Sequence, residues 1–170
     1  MFPRHEEFVG IVNATEADAF AHLDDQTRLS AHMSRRSWKM GWGRMSVDLD
    51  EQGGKAVGSH IVLRGRVLGL SLCLDEVVTD RNPPRRKVWR TVGEPRLLVI
   101  GAYEMGFELS AAADGVQLRV AIGYEWPTKG VQRFLGRLFG RMYAKWCTRQ
   151  MVQDAQKAFS GDERLIRRGR

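Results

Sequence analysis

The sequence predicts a single α+β domain in which a curved antiparallel sheet of about seven strands wraps around a long C-terminal helix. Three observations predict this fold class: period-two alternation in the middle of the chain, an Asp114-Gly115 turn between two apolar segments, and a helical pattern after Pro127. A length of 170 residues suits one domain. We therefore predict one domain over residues 1–160 and a basic C-terminal tail over residues 161–170.

The composition is that of a globular protein, with 43% hydrophobic and 28% charged residues. The sequence has no uncharged apolar stretch of about 18 residues and begins with a polar segment, so we expect neither a transmembrane helix nor an ordinary secretory signal. We expect a cytoplasmic protein. Cys73 and Cys147 lie too far apart for a disulfide framework or a zinc knuckle. The net charge of +7 permits acidic partners but does not predict specific nucleic-acid binding.

The first predicted elements are a strand and two short helices. Residues 5–13 are predicted to form the strand, and Thr15 with Asp18 resembles a capping box at the start of a helix that ends near residue 22. A second short helix is predicted over residues 24–33, because no Gly or Pro interrupts it.

Alternation between apolar and polar residues then predicts a series of strands joined by turns. A Gln-Gly-Gly-Lys turn over residues 52–55 joins the first two of them into a hairpin, and an Asn-Pro-Pro segment over residues 82–84 ends the third. The predicted strands cover residues 45–50, 60–64, 70–80, 87–92, 97–109 and 116–126.

The last two strands form the clearest hairpin, with Asp114-Gly115 as its predicted two-residue loop. This loop sets a register in which apolar and aromatic residues face one another. The predicted pairs are Leu109 with Val120, Phe107 with Ile122, Met105 with Tyr124, and Tyr103 with Trp126.

The same register places Glu104 opposite Glu125 on the other face of the sheet, where directly opposed like charges are destabilising. One interpretation is a solvated pair relieved by Arg85 or Lys87 on the neighbouring strand. The alternative is a coupled carboxylate pair in which one pKa is raised and which acts as acid and base.

The C-terminal helix is predicted to be about 30 residues long. Its predicted buried face consists of apolar residues at spacings of three and four. These are Val131, Leu135, Leu138, Met142 and Trp146, continued by Met151, Ala155 and Phe159.

The same helix carries basic residues at intervals of four, which can meet phosphates or anionic headgroups of a membrane surface. The alternative is an ordinary solvated face, and the absence of interleaved aromatic residues argues against a nucleic-acid platform. The basic residues are Arg133, Arg137, Arg141, Lys145 and Arg149.

Four segments stand out beside the order of elements: Glu-Phe-Val-Gly-Ile-Val-Asn-Ala-Thr (7–15), Gly-Ser-His (58–60), Pro-Pro-Arg-Arg-Lys-Val-Trp (83–89), and Thr-Lys-Gly (128–130) with Phe-Leu-Gly-Arg-Leu (134–138). Together with that order, they resemble the START-like or helix-grip (SRPBCC) superfamily, in its polyketide cyclase/dehydrase and lipid-transfer branch. The resemblance covers about residues 5–159. It implies a cavity between the sheet and the terminal helix for lipids, polyketides, hormones or other hydrophobic molecules. Superfamily members share no universal catalytic residues, so the resemblance identifies none here.

The sequence contains no complete example of the common catalytic and cofactor-binding motifs. His5-Glu6 begins a zinc-protease motif, but Val9 occupies the position of the second His, and the four histidines have no short ligand spacing. A Gly-Leu-Ser-Leu-Cys segment over residues 69–73 lacks the final Gly of a nucleophile elbow. A Gly-Trp-Gly segment over residues 41–43 lacks a third Gly, and no Walker sequence occurs. We therefore predict no metal and no cofactor.

The predicted ligand-binding residues line the expected cavity, because ligand sites are concave, mostly apolar and oriented by a few polar groups. Each apolar candidate also suits plain core packing, because a layer of sheet on helix needs such residues in any case. Those candidates are Tyr103, Met105, Phe107, Tyr124 and Trp126 from the hairpin, and Leu135, Leu138 and Met142 from the helix. The other candidates are His60, Arg64 and Arg90 on strands, and His32, Met33 and Trp38 near the expected mouth.

The sequence is compatible with two orientations of the Arg90 side chain. An inward Arg90 needs an acidic partner such as Asp75 or a bound anionic group, because an unpaired buried charge is costly. Alternation along the strand allows the opposite arrangement, with Trp89 inward and Arg90 in solvent.

Three functions are compatible with these observations. The first is a domain that binds or carries a hydrophobic or amphipathic small molecule. The second is a cyclase or dehydratase type of enzyme that orients a poly-carbonyl substrate and assists proton transfer. Its candidate residues are His60, Arg64, Arg90, Tyr103 and Tyr124. The third is a protein-interaction module that docks a partner through the long helix or the basic tail.

Overall fold

The computed structural model describes residues 2–25, 44–67, 70–128 and 130–160. The elements, in chain order, are β1 (Arg4–Val12), α1 (Glu16–Asp24), β2 (Arg44–Leu49), β3 (His60–Val67), β4 (Leu70–Asn82), β5 (Arg86–Arg96), β6 (Tyr103–Ala112), β7 (Gly115–Tyr124) and α2 (Gly130–Ser160). The predicted second short helix falls mainly on residues outside this description. His32, Met33, Trp38 and the basic tail over residues 161–170 also lie outside the described residues.

The seven strands form one antiparallel sheet in the order β1-β7-β6-β5-β4-β3-β2. The 31-residue helix α2 packs mainly against β1 and β7. The predicted α+β helix-grip layout is confirmed. None of the helices in the described part of the chain has the length and apolar character needed to cross a membrane.

Helix α1 begins at the predicted cap. The Thr15 hydroxyl oxygen accepts a hydrogen bond from the Asp18 backbone N–H at 3.1 Å, and the hydroxyl donates to Asp18 Oδ2 at 2.7 Å. Phe20 then packs edge-on against Phe107 of β6, with ring centres 5.6 Å apart. The cap and this aromatic contact fix α1 on the inner face of the sheet.

The β6–β7 hairpin buries the predicted face, but its register differs from the prediction by two residues. Ala112 pairs with Gly115, so the two-residue loop is Ala113-Asp114 rather than Asp114-Gly115. Gly115 has φ of +121° and lies directly against the backbone of Val12, which requires a residue without Cβ as the first residue of β7. The observed pairs are Leu109 with Leu118, Phe107 with Val120, Met105 with Ile122, and Tyr103 with Tyr124.

The corrected register removes the predicted opposition of Glu104 and Glu125. Glu104 lies opposite Gly123 on β7 and opposite Arg90 on β5. Glu125 follows β7, where its backbone N–H donates to the Ala102 carbonyl at 2.8 Å. Neither the solvated pair nor the coupled carboxylate pair is therefore formed at these positions.

Strand β5 also settles which of two neighbouring side chains points inward. Trp89 is buried with 4% of its surface exposed, whereas Arg90 is exposed on the outer face of the sheet. Trp89 packs near Phe107, with ring centres 6.4 Å apart. The inner face of the sheet is therefore aromatic at this point.

The predicted buried face of α2 is wrong in its first half. Val131, Leu138 and Met142 are 74%, 60% and 63% exposed, while Met151 and Ala155 in the second half are buried as predicted. The residues that face the sheet are mostly small and recur every four positions along most of the helix. They are Gly136, Gly140, Ala144, Thr148, Met151, Val152 and Ala155.

Close approach of the helix to the neighbouring backbone explains this face. A Cβ on Gly136 would lie 2.6 Å from Pro127 Cδ, and a Cβ on Gly140 would lie 2.8 Å from the Val99 carbonyl oxygen. Large apolar side chains at these positions would push the helix away. The small residues therefore define the packed face, and the large apolar residues of the first half point elsewhere.

Candidate functional site

A carboxylate lies on the inner face of β4, in phase with apolar neighbours. Leu74, Glu76 and Val78 alternate along the strand and are 4%, 4% and 1% exposed. Because successive strand residues point to opposite faces, Glu76 occupies a position that the pattern of this strand reserves for the core. A buried carboxyl group requires hydrogen-bond partners.

Glu76 finds these partners on the neighbouring strands. The Tyr103 hydroxyl donates a short hydrogen bond to Glu76 Oε1, and the Trp89 side chain also hydrogen-bonds to this carboxylate. The Thr91 hydroxyl oxygen accepts a bond from the Tyr103 backbone N–H at 3.1 Å, which fixes the position of β6 beside β5. Three strands thus hold one acceptor and two donors in place.

Burial dominates the acid–base behaviour of this group. It raises the pKa of Glu76 from 4.5 to about 7, although the hydrogen bonds from Tyr103 and Trp89 act in the opposite direction. Burial, followed by the charge of Glu76, raises the pKa of Tyr103 well above its usual value. Tyr103 therefore stays protonated, while Glu76 can exchange a proton near neutral pH.

Helix α2 contributes Tyr143 and Cys147 to the same region. The proximity of Cys147, together with burial, raises the pKa of Tyr143, and burial raises the pKa of Cys147 to about 12. Both groups lie close enough to Tyr103 to affect its pKa. We call Glu76, Trp89, Tyr103, Tyr143 and Cys147 the interior polar cluster.

This cluster offers hydrogen bonds and proton exchange rather than a nucleophile. A thiol with a pKa of about 12 stays protonated at neutral pH, so Cys147 is not activated. The tyrosine hydroxyls can donate, and Glu76 can donate or accept according to its protonation. Nearby buried side chains on the inner face are apolar, among them Leu63, Leu74, Met105 and Phe107.

The structure brings only some of the predicted ligand-binding residues to the inner face. Tyr103, Met105, Phe107 and Tyr124 are buried there. Leu135 is partly buried, and Trp126 is partly buried beneath the Arg4 guanidinium, whose carbon lies 3.2 Å from the ring centre.

The other described candidates lie on the surface. Leu138 and Met142 are on the exposed side of α2. His60 Nδ1 lies 2.9 Å from Asp75 Oδ1, and Arg64 Nη1 donates to Asp48 Oδ2 at 2.8 Å. Like Arg90, both of these side chains are exposed on the outer face, because their strand positions alternate with the buried Ile61 and Leu63.

Sequence reasoning missed Glu76, Tyr143 and Cys147. A signal for Glu76 was available, since the alternation of Leu72 and Leu74 places Glu76 in the same phase. Tyr143 and Cys147 are four residues apart and lie beside the small residues Gly140 and Ala144. If the small residues of α2 had been taken as its buried face, Tyr143 and Cys147 would have been predicted to lie near the interior.

A second buried polar group serves to join elements. Lys87 is fully buried, and its ammonium donates to Asp24 Oδ1 at 2.7 Å and to the Gly54 carbonyl at 2.8 Å. Arg81 donates to Asp24 Oδ2 at 2.7 Å. Burial alone would raise the pKa of Asp24, but the hydrogen bonds from Arg81 and Lys87 hold it below its usual value. These bonds tie α1 and the β2–β3 connection to the sheet.

A groove of about 430 Å³ lies on the outer face, across β5, β6 and β7. Gly106 and Ala121 contribute to its lining. Two of its three arginines have acidic partners: Arg119 donates to Glu7 Oε2 at 2.6 Å, and Arg86 lies 3.0 Å from Asp80. Within the described ranges, no three His, Cys, Asp or Glu side chains gather as a possible metal site.

A seven-stranded antiparallel sheet around a C-terminal helix is the helix-grip fold, and here its interior holds a polar cluster among apolar side chains. No family model matches the chain, and no curated protein matches it in sequence.

Solved structures match almost the whole chain. A Thermus thermophilus protein has a TM-score of 0.66 at 11% identity, covering 94% of this chain and 99% of its own. The di-domain ARO/CYC protein StfQ from the steffimycin biosynthetic pathway has a TM-score of 0.63 at 13% identity, covering 94% of this chain and 51% of its own. Ara h 8.0201 has a TM-score of 0.61 at 8% identity, covering 93% and 98%. At these identities the likeness shows the fold.

Proposed function

We propose that this protein binds or carries a hydrophobic or amphipathic small molecule, lipid- or polyketide-like, between the sheet and α2. The observation that carries the proposal is the interior polar cluster, which places hydrogen-bonding groups from both the sheet and the helix among apolar side chains. We also propose that the protein is cytoplasmic, as the sequence predicts.

The energetics of Glu76 support a binding role. A carboxyl group whose pKa is raised by burial costs stability in its ionised form, and an apolar residue would fill the same position without that cost. Ligand sites characteristically contain a few such polar groups in an apolar lining. Protonated Glu76 can donate to the Tyr103 oxygen, which frees the Tyr103 hydroxyl proton for a carbonyl or hydroxyl group of a ligand, so that both residues would orient the ligand.

The fold neighbours support the class of ligand. StfQ is named as an ARO/CYC protein of a biosynthetic pathway, which agrees with a polyketide-like molecule. We propose Tyr103, Met105 and Phe107 as ligand contacts, with Glu76 and Tyr143 as polar anchors. His32, Met33 and Trp38 stay predictions for the mouth of the site.

Binding of two fluorescent probes tests this proposal. Nile red has a carbonyl group that can accept a hydrogen bond, whereas diphenylhexatriene has no polar atom. We expect both probes to bind the wild-type protein, and Tyr103→Phe to weaken Nile red about tenfold through the lost hydrogen bond while leaving diphenylhexatriene unchanged. Titration by fluorescence measures both affinities.

Tyr124→Phe is the matched control, because it removes the same hydroxyl group from the residue that faces Tyr103 across the β6–β7 pair. We expect this variant to change Nile red binding less than Tyr103→Phe does. The absence of probe binding to the wild-type protein would refute the proposal, as would a Nile red affinity that Tyr103→Phe leaves unaltered.

An enzyme of the cyclase or dehydratase type is the second candidate, favoured by one observation. Glu76 has a pKa of about 7 and is hydrogen-bonded to Tyr103 in the interior, which suits a general acid and base. Three of the residues first considered for this role, His60, Arg64 and Arg90, lie on the outer face. Turnover of a synthetic poly-β-ketone thioester that Glu76→Gln abolishes, without loss of Nile red binding, would support the enzyme.

A further inference from the structure

The first half of α2 exposes five large apolar side chains to solvent, of which Phe139, at 38%, is the least exposed. Val131, Phe134, Leu138 and Met142 are 74%, 67%, 60% and 63% exposed. Their spacings of three and four place them side by side on one face of the helix. We call these four residues the apolar ridge. Exposed apolar residues that adjoin in this way mark interaction sites more often than isolated ones do.

A row of cations runs beside the apolar ridge. Three members of the ridge have a basic residue three positions later, which places the two side chains next to each other on the helix surface. The pairs are Phe134 with Arg137, Leu138 with Arg141, and Met142 with Lys145. Arg133 and Arg149 complete this basic row, and all five side chains are exposed.

The charge of this segment has one sign throughout. Residues 130–153 contain five basic residues and no Asp or Glu, and the first acidic residue of the helix is Asp154. Cations in the first turns are unfavourable, because the helix dipole is positive at its N-terminus. Glu6 of β1 offsets part of this charge, since it accepts a bond from Arg141 Nε at 2.7 Å and lies 3.9 Å from Lys145. An external anion would offset the rest.

Apolar side chains flanked by cations on an exposed helix are the features of a helix that lies in a membrane interface. We propose that the apolar ridge and the basic row bind the surface of a membrane containing anionic phospholipids, with the first half of α2 lying along the interface. The ridge enters the apolar boundary of the bilayer, and the basic row contacts the phosphate groups.

Charge favours this partner over a second copy of the chain. A symmetric contact through two ridges would bring two basic rows together, and like charges at an interface oppose association. A nucleic acid would satisfy the basic row but leave the ridge in water. A membrane with anionic lipids satisfies both surfaces at once.

Vesicle co-sedimentation of the full chain tests the proposal. We expect binding to vesicles of two parts phosphatidylcholine and one part phosphatidylglycerol, at least about tenfold weaker binding to phosphatidylcholine alone, and further weakening by added salt. The double variant Val131→Ser/Phe134→Ser is expected to lose about tenfold or more in partitioning. Arg133→Gln/Arg137→Gln is expected to lose a similar amount, about fivefold for each cation.

Two control variants match these changes. Val57→Ser removes an apolar side chain that is 61% exposed in the β2–β3 connection, and Arg66→Gln removes an exposed cation from β3. We expect both to bind vesicles as the wild-type protein does. Nile red binding is expected to be unchanged in Val131→Ser/Phe134→Ser, because the ridge points away from the interior, so the two proposals fail or succeed separately.

Three outcomes would overturn the membrane proposal. The first is that the protein binds neutral and anionic vesicles equally or binds neither. The second is that Val131→Ser/Phe134→Ser partitions onto anionic vesicles as the wild-type protein does. The third is a dimer of the wild-type protein that Val131→Ser/Phe134→Ser converts to a monomer in size-exclusion chromatography, since this would assign the ridge to a second copy.

Discussion

Lys87 is an ammonium group enclosed entirely by protein. Its acceptors are the Asp24 carboxylate, the Asp24 carbonyl at 3.3 Å and the Gly54 carbonyl, so each of its three protons has a partner. Asp24 in turn receives two hydrogen bonds from Arg81, at 2.7 and 3.3 Å. Removing one member of such a group leaves a buried charge without compensation.

Asp24→Asn is therefore expected to lower the free energy of unfolding by about 3 kcal/mol or more. Asp48→Asn is the matched control, because the Asp48–Arg64 pair has a similar distance but side chains that are 55% and 63% exposed. We expect this control to cost less than about 1 kcal/mol. Urea unfolding followed by circular dichroism measures both, and equal losses would contradict this account.

Glu76 predicts a pH dependence of stability. Its pKa is about 7 in the folded protein and 4.5 ordinarily, so between these values the folded state holds more protons than the unfolded state. The free energy of unfolding should fall as pH rises from 4.5 to about 7, by up to about 3 kcal/mol, and the contribution of Glu76 should then level off.

Glu76→Gln should remove this component, because a neutral amide does not titrate. Thermal unfolding of both proteins across this pH range provides the comparison. Identical pH profiles for wild-type and variant would show that Glu76 does not carry the effect.

At the scale of elements, the contact between α2 and the β5–β6 connection depends on the absence of side chains. At Gly140 an added Cβ would meet the Val99 carbonyl oxygen at 2.8 Å and the Trp126 ring at 3.5 Å. The backbone at Val99 cannot swing aside as a flexible side chain does. Alanine would therefore displace the helix or the connection.

Gly140→Ala is expected to destabilise the protein by about 1–3 kcal/mol through this overpacking, even though alanine favours an isolated helix by about 1 kcal/mol. Arg133→Ala, on the exposed side of the same helix, should stay within about 0.5 kcal/mol of the wild-type protein. Chemical unfolding of the two variants decides the matter. A stabilised Gly140→Ala protein would show that the close packing is looser than described.

The elements differ in how far the sequence predicted them. The strands, the Thr15 cap and the length of α2 follow from local patterns and agree with the structure, except that the strand predicted over residues 97–109 begins only at Tyr103. The register of β6 and β7 depends on Gly115 lying against β1, which is a tertiary contact that the hairpin sequence does not contain. The face of α2 depends on how closely its backbone approaches Val99 and Pro127. In both cases a contact between distant segments overrode the local pattern.

At the scale of the whole molecule, local patterns predicted some residues of the candidate site, whereas others depend on contacts between distant segments. Period-two alternation correctly places Tyr103, Met105 and Phe107 on the inner face. The meeting of Glu76 with Tyr103 joins β4 to β6 across β5, and no local pattern encodes that neighbourhood. The exposure of Leu138 and Met142 is likewise a property of the assembled fold, since it follows from where the glycine face of α2 docks.

The small-residue face of α2 has a consequence for how such a protein can change over time. Small residues such as glycine and alanine hold α2 close to the neighbouring backbone. Many of the large side chains that border the interior therefore belong to the sheet, including Trp89, Tyr103 and Met105. Substitutions at those sheet positions would alter the shape offered to an occupant without unseating the helix. Under the proposed function, ligand preference and the supporting frame rest on different residues, so that selection can adjust one while the other stays fixed.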